Sequence, residues 1–213
     1  MICSRIPSIP LLLVGCWSHN PECRAAEAEP QVAQLIEQLV SSRAPAKEKF
    51  RGMPSIDPKV EVARQSLISM GTAIFPELVK QRDDKRYSYS RSYSIIVNHS
   101  VGDATEHIME DVVGAHFRPY SYKSRENPRG TNSQPRFRTL MEEMGGAEKY
   151  AEHAKLLGTR AAQREYVQWY MAAEKSHGFI DAKQERDILA PCQKRLFDLE
   201  DDSASNRAVR SKG

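Results

Sequence analysis

Gly71, Gly114, Gly145-Gly146, Gly158 and Gly178 divide this chain into stretches in which apolar side chains recur three and four residues apart. That period belongs to helices, and a glycine just past its end supplies the left-handed turn on which many helices stop. Val32, Leu35, Ile36, Leu39 and Val40 form one such stripe from Gln31 onward. A second helix opens after Pro58 and carries Val60, Ala63, Leu67 and Ile68, with Gly71 as its stop. Thr72 is placed to cap a third, buried through Ala73, Ile74, Leu78 and Val79. Pro76 then falls in its opening turn, where a missing N–H costs least.

Ser100 precedes VGDATEHIMEDVV, in which Val101, Ala104, Ile108 and Val112 form a stripe, Asp103 sits in the first turn and Gly114 closes the helix. Helical pattern resumes over Arg136 to Met144 and again over Ala147 to Leu157. Thr159 is placed to cap a long helix carrying Tyr166, Val167, Trp169, Tyr170 and Ala173, with Lys175 and His177 in its last turn. Asp181 and Gln184 make a capping-box-like pair for a final helix that Pro191 interrupts. Ser41 to Asp57 reads as a loop, and a long polar loop is expected near 114–135. The fold expected is all-α, an irregular stack of seven or eight helices.

With 213 residues, 40% hydrophobic and 28% charged, the chain has material for one domain, and a net charge of +3 demands no polyanionic partner. MICSRIPSIPLLLVGC combines Arg5 with an apolar stretch from Ile6 to Val14, too short to span a bilayer, which reads as an export signal. Leu13-Val14-Gly15-Cys16 resembles a bacterial lipobox, which implies lipidation at Cys16; Ala26-Glu27-Ala28 offers a competing cleavage site. CRAAEAEP, residues 23–30, suits a tether. The division expected is therefore 1–28 as signal and tether, cut before Cys16 or after Ala28, then 31–199 as a helical domain and 200–213 as a flexible tail. Cys3, Cys16, Cys23 and Cys192 form no disulfide framework, because cleavage at either site removes one or more of them.

Residues 63 to 86, ARQSLISMGTAIFPELVKQRDDKR, resemble one HEAT-type helical repeat, with Leu67, Gly71, Ala73, Pro76, Leu78 and Asp84 in the places that pattern gives such residues. The resemblance implies HEAT- or armadillo-like packing and protein binding. No second unit has the same spacing. The string from Phe75-Pro76 through Arg86-Tyr87-Ser88 to Val101-Gly102-Asp103 is also similar to segments of uncharacterised exported bacterial proteins, which implies export and no particular activity.

Two groups of side chains carry chemistry worth testing. Asp103, His107 and Asp111 stand four residues apart on one helix, so neighbouring pairs are placed to share a cation, although a solvated helix face has the same spacing. The second group is the pair of tyrosine-basic runs, DDKRYSYSRSYS and FRPYSYK, flanking that helix. Arg86, Tyr89, Arg91, Tyr120 and Lys123 are its expected partner contacts, since tyrosine and arginine serve well at protein-binding surfaces. A plain structural loop reads the same way. Single-stranded nucleic acid would use such residues too, but an exported chain rarely meets it.

No glycine-rich phosphate loop, G-x-S-x-G elbow or paired C-x-x-C occurs, and His153 and His177 sit in no signature spacing. Catalysis is therefore the less favoured reading. The function expected is that of an exported, non-catalytic interaction protein, a membrane-anchored lipoprotein or a periplasmic or secreted protein. It needs no cofactor, takes a protein as partner, and meets the membrane only through a lipid anchor. The alternative is an exported hydrolase or metal-dependent enzyme using the carboxylates and histidine of residues 103–111.

Overall fold

The computed structural model describes residues 21–42, 57–88, 99–116, 136–179 and 181–210. Among them the fold is all-α, with helices taking 79% and two very short strands the only extended pairing. In chain order the helices are α1 (Pro21–Gln38), α2 (Pro58–Ser69), α3 (Phe75–Val79), α4 (Val101–Val113), α5 (Phe137–Glu143), α6 (Ala147–Leu157), α7 (Thr159–His177) and α8 (Ala182–Arg210). The strands β1 (Tyr87–Ser88) and β2 (His99–Ser100) pair antiparallel in the register Tyr87 to Ser100 and Ser88 to His99.

The core is organised around α4. Its buried positions, Val101, Ala104, Thr105, Ile108, Met109, Val112 and Val113, follow the helical period, and α2, α3 and α7 all pack against it. An antiparallel arrangement of α7 and α8, marked by the ion pair of Arg164 with Glu200, closes the far side. Each fully buried side chain such as Phe75, Leu78, Ile108 or Phe137 contributes about 1.5–3 kcal/mol of transfer free energy.

Helix ends follow local chemistry, with some departures from expectation. Asp57 caps α2 by accepting from the Lys59 amide at 3.1 Å, and Pro58 occupies its first turn. Ser100 and Asp103 form a reciprocal capping box on α4, which Gly114 ends at φ 72°. Pro76 lies in the first turn of α3, as read from sequence. The first departure is that the CRAAEAEP stretch belongs to α1, which begins at Pro21. Alanine and glutamate are good helix formers and need no apolar stripe to extend a helix already docked through Val32, Ile36 and Leu39.

The second and third departures are one interaction. Thr72 does not cap α3; it lies buried in a 3₁₀ turn, Gly71–Ile74, that leads into it. Nor does Thr159 cap α7, whose N-cap position is Gly158. The Thr159 hydroxyl instead accepts from the Thr72 amide at 3.0 Å, an acceptor that a buried turn needs more than a helix end open to water does. A Cβ on Gly71 would run into that hydroxyl.

Residues 63–86 thus fold as the later part of α2, the 3₁₀ turn, the five-residue α3 and the turn behind it. At the other end, α8 carries its helical backbone through Pro191 and on to Arg210, through the stretch read from sequence as a tail. The export signal and most of the polar loop near 114–135 lie outside the described residues; Gly114 to His116 form the turn that follows α4.

A Cβ on Gly102 would meet the Arg82 carbonyl at the end of the turn after α3. Gly102→Ala is therefore expected to lower stability by about 1–3 kcal/mol, because backbone on both sides must move. A denaturation midpoint equal to that of the natural chain would show that the junction gives way without cost.

Candidate functional site

Arg64 is a charged side chain in the wall between α2 and α4, and it is only 5% exposed. Burial of a guanidinium requires a partner, and Arg64 Nη2 donates to Asp111 Oδ2 while Nη1 reaches Glu61 Oε1 at 3.4 Å. His116 Nδ1 stands 3.5 Å from the other Asp111 oxygen. Asp111 is thereby committed to an internal ion pair. Asp103, two turns earlier, is committed to the cap of α4, with its carboxylate accepting from the Ser100 amide at 3.2 Å.

His107 lies between them in sequence, half-buried. Burial holds its imidazole below the ordinary value, outweighing the opposite pull of the Glu106, Asp103 and Asp111 carboxylates. The three residues read from sequence as metal candidates therefore do not converge. Among the described residues no group of three His, Cys, Asp or Glu side chains is arranged to hold a metal ion. The physical reason lies in a partner that sequence spacing does not show: Arg64 reaches Asp111 across 47 positions.

Of the five expected partner contacts the described residues include Arg86, while Tyr89, Arg91, Tyr120 and Lys123 lie outside them, as does Cys16. The Arg86 guanidinium is 45% exposed and fully employed. It grips Glu37 of α1 through two bonds of 2.8 and 3.0 Å, and it grips Asp84 at 2.6 to 3.1 Å. Bonds to Glu37 first and Asp84 second push its pKa up, and the same bonds hold both carboxylates down. Arg86 thus ties α1 to the turn before β1, helped by the Ser41 amide donating to Tyr87 O at 2.9 Å.

Other chemistry-bearing groups are also engaged in structure. Cys192 is fully buried, and burial together with the charge of Glu174 pushes its thiol up to about 11, so this thiol is not a thiolate nucleophile at neutral pH. Glu106 holds Arg138 of α5 in a bidentate pair at 3.0 and 2.7 Å, and Trp169 Nε1 donates to Glu143 Oε2 at 2.7 Å. Sequence reasoning placed His153 beside Glu152. Its actual partner is Glu165 across the α6–α7 corner, with Nε2 and Oε1 2.7 Å apart. Only the helix period that buries Tyr150, Ala151 and Ala154 hinted that His153 borders that interface.

Among the described residues no helix is long and apolar enough to cross a membrane. Comparison with known proteins finds no matching family model, no matching curated protein and no matching solved structure.

Asp111→Asn is expected to cost about 3–5 kcal/mol, because it strips the charge partner from a buried guanidinium; Arg86→Gln, losing a solvent-screened pair, should cost about 1 kcal/mol or less. Equal losses in chemical denaturation would contradict the burial contrast. His107 adds a pH dependence. The unfolded ring takes up its proton near the ordinary value of about 6.5 and the folded ring only below it, so stability falls as pH drops through about 6.5 and down to the folded value. His107→Gln should flatten that part of a stability-versus-pH curve; an unchanged slope would remove His107 as its source.

Proposed function

We propose that the chain is an exported, non-catalytic interaction protein that holds a protein partner on its helical surface. One observation carries the reading. The side chains best suited to acid–base or metal chemistry on α4 are committed to its cap and to Arg64, whereas large apolar side chains face solvent. Leu156 is 86% exposed and its neighbour Leu157 41%, side by side at the corner where α6 ends and α7 begins. Val62 on α2 and Phe197 on α8 are exposed as well. Burying such side chains against another protein is favourable at about 25 cal/mol per Å², and a leucine pair on a rigid corner loses little freedom in doing so.

Export is supported by the apolar stretch from Ile6 to Val14 and the lipobox-like Leu13 to Cys16. The cation-rich, tyrosine-rich runs that contain Arg91 and Lys123 remain part of the proposed contact surface. Arg86 contributes to it by fixing where the first run begins, rather than by offering a free charge.

Two measurements test the reading together. Intact mass of the chain from its native host is expected to show a start at or after Cys16, with acyl mass if that cysteine is lipidated. Leu156→Ser with Leu157→Ser is expected to leave the melting temperature within about 0.5 kcal/mol equivalent of the parent, as exposed substitutions do, while the partner cross-linked to the parent chain in its native host is lost. A full-length unmodified chain in the cytoplasm, or undiminished cross-linking by the double variant, would refute it.

A further inference from the structure

A cleft of about 580 Å³ separates α6 from α3 and the turn behind it, with Pro76, Val79, Arg82 and Asp83 on one wall and Glu148 and Glu152 on the other. The two walls run antiparallel. The bond from the Thr72 amide to Thr159 ties the approach to α3 to the chain just after α6, and Asp83 stands across the cleft from Glu148 at the opposite end. Lys80 also lines the cleft, but its ammonium is spent on Glu77 at 2.6 Å. Asp83, Glu148 and Glu152 enter no ion pair among the described residues and outnumber Arg82, so the cleft is acidic in a chain whose net charge is +3. Carboxylates lining one cleft repel each other, and a cation placed between them relieves that repulsion. Along α6, Glu148 and Glu152 lead, four residues at a time, to Leu156, the exposed leucine of the corner.

We propose that the protein partner enters this cleft as an extended basic segment, with lysine or arginine side chains at the Asp83, Glu148 and Glu152 end and a large apolar side chain against Leu156. The inference rests on the interaction reading above and adds the partner's chemistry to it. Among the described residues no three of these carboxylates are arranged to hold a metal ion, so the cation that fits is an organic one. Glu148 and Leu156 are eight positions apart on α6, about 12 Å along the axis, a span that three or four extended residues cover. Pro76 and Val79 give the segment an apolar floor on the α3 side. Burial against Leu156 supplies affinity, and the carboxylates supply orientation and fast encounter.

The probe is a fluorescent hexapeptide of two lysines, two serines and two leucines in that order, titrated with the full chain and followed by anisotropy. Saturable binding is expected, weakening about threefold or more as salt rises from about 50 to about 300 mM, and absent when glutamates replace the lysines. Glu148→Lys with Glu152→Lys should weaken it about tenfold and Leu156→Ser severalfold. Glu185→Lys with Asp187→Lys, an equal change of net charge on α8, should have little effect. Melting temperatures check that each variant is folded. Should the charge reversal unfold the chain, nuclear magnetic resonance of the natural chain decides, because the bound peptide must shift the amides of Asp83, Glu148 and Glu152 before those of α8. No saturable binding, or binding indifferent to the reversal at Glu148 and Glu152, overturns the proposal. So does spermidine binding as tightly as the peptide, which would make the cleft a polyamine site, or a dimer that the reversal dissociates, which would make a second copy the occupant. Loss of native cross-linking in the double leucine variant would still support the interaction reading, so the two fail separately.

Discussion

A helix packed on several sides must find partners for the amides of its first turn and the carbonyls of its last, because water reaches neither freely. For α4 this requirement shapes everything around it. The Val101 and Gly102 amides donate to the carbonyls of Arg86 and Asp84 at 2.9 and 3.0 Å, and the Asp103 amide donates to Ser100 Oγ at 3.1 Å. At the other end the Val112 carbonyl accepts from Gln163 of α7 at 2.8 Å, and the Ala115 carbonyl from the Tyr166 hydroxyl at 3.1 Å. The turn after α3 and the buried face of α7 are therefore fixed by the ends of α4 as much as by its apolar stripe.

The same requirement explains where the charges went. Asp84 can offer its carbonyl to Gly102 only if its own turn is held, and Arg86 holds it by bonding the Asp84 carboxylate while anchoring to Glu37. Exposed pairs of this kind add little to global stability, yet they select one arrangement of α1, the turn and α4 among several that would bury similar apolar area. Arg64 and Asp111 act differently. Once both are buried, neither can leave without stranding the other, so they fix the register of α2 against α4.

Local signals were legible in the sequence wherever the physics was local. The bounds of α4, α6 and α7 follow from apolar period, Ser100 and the closing glycines, and Pro76 falls where its missing amide is harmless. What sequence could not give was any contact between distant residues. Thr72 and Thr159 each look like cap residues when read alone, and only the fold shows that they bond each other across 87 positions. Asp103, His107 and Asp111 look like one cation-binding face until Arg64 arrives from another helix to take Asp111. The HEAT-like spacing of residues 63–86 likewise describes one segment, and it says nothing of what packs against it.

Polar groups on this scaffold can be sorted by whether the fold itself accounts for them. Asp57, Asp103, Asp111 and Thr159 each satisfy an amide or a charge that folding would otherwise strand, and removing any of them leaves a debt inside the chain. Cys192 and Tyr170 belong to the same class by another route: burial and the nearby charge of Glu174 keep both protonated, so they behave as core side chains between α7 and α8. The Tyr150 hydroxyl, without a hydrogen-bond partner among the described residues, falls outside that class. Phe75 and Phe137 account for the Tyr150 ring, at 6.3 and 5.2 Å between centroids, but a phenylalanine would fill that place without a hydroxyl to satisfy. A buried hydroxyl that packing does not require is the point at which structure stops being a sufficient reason for the residue.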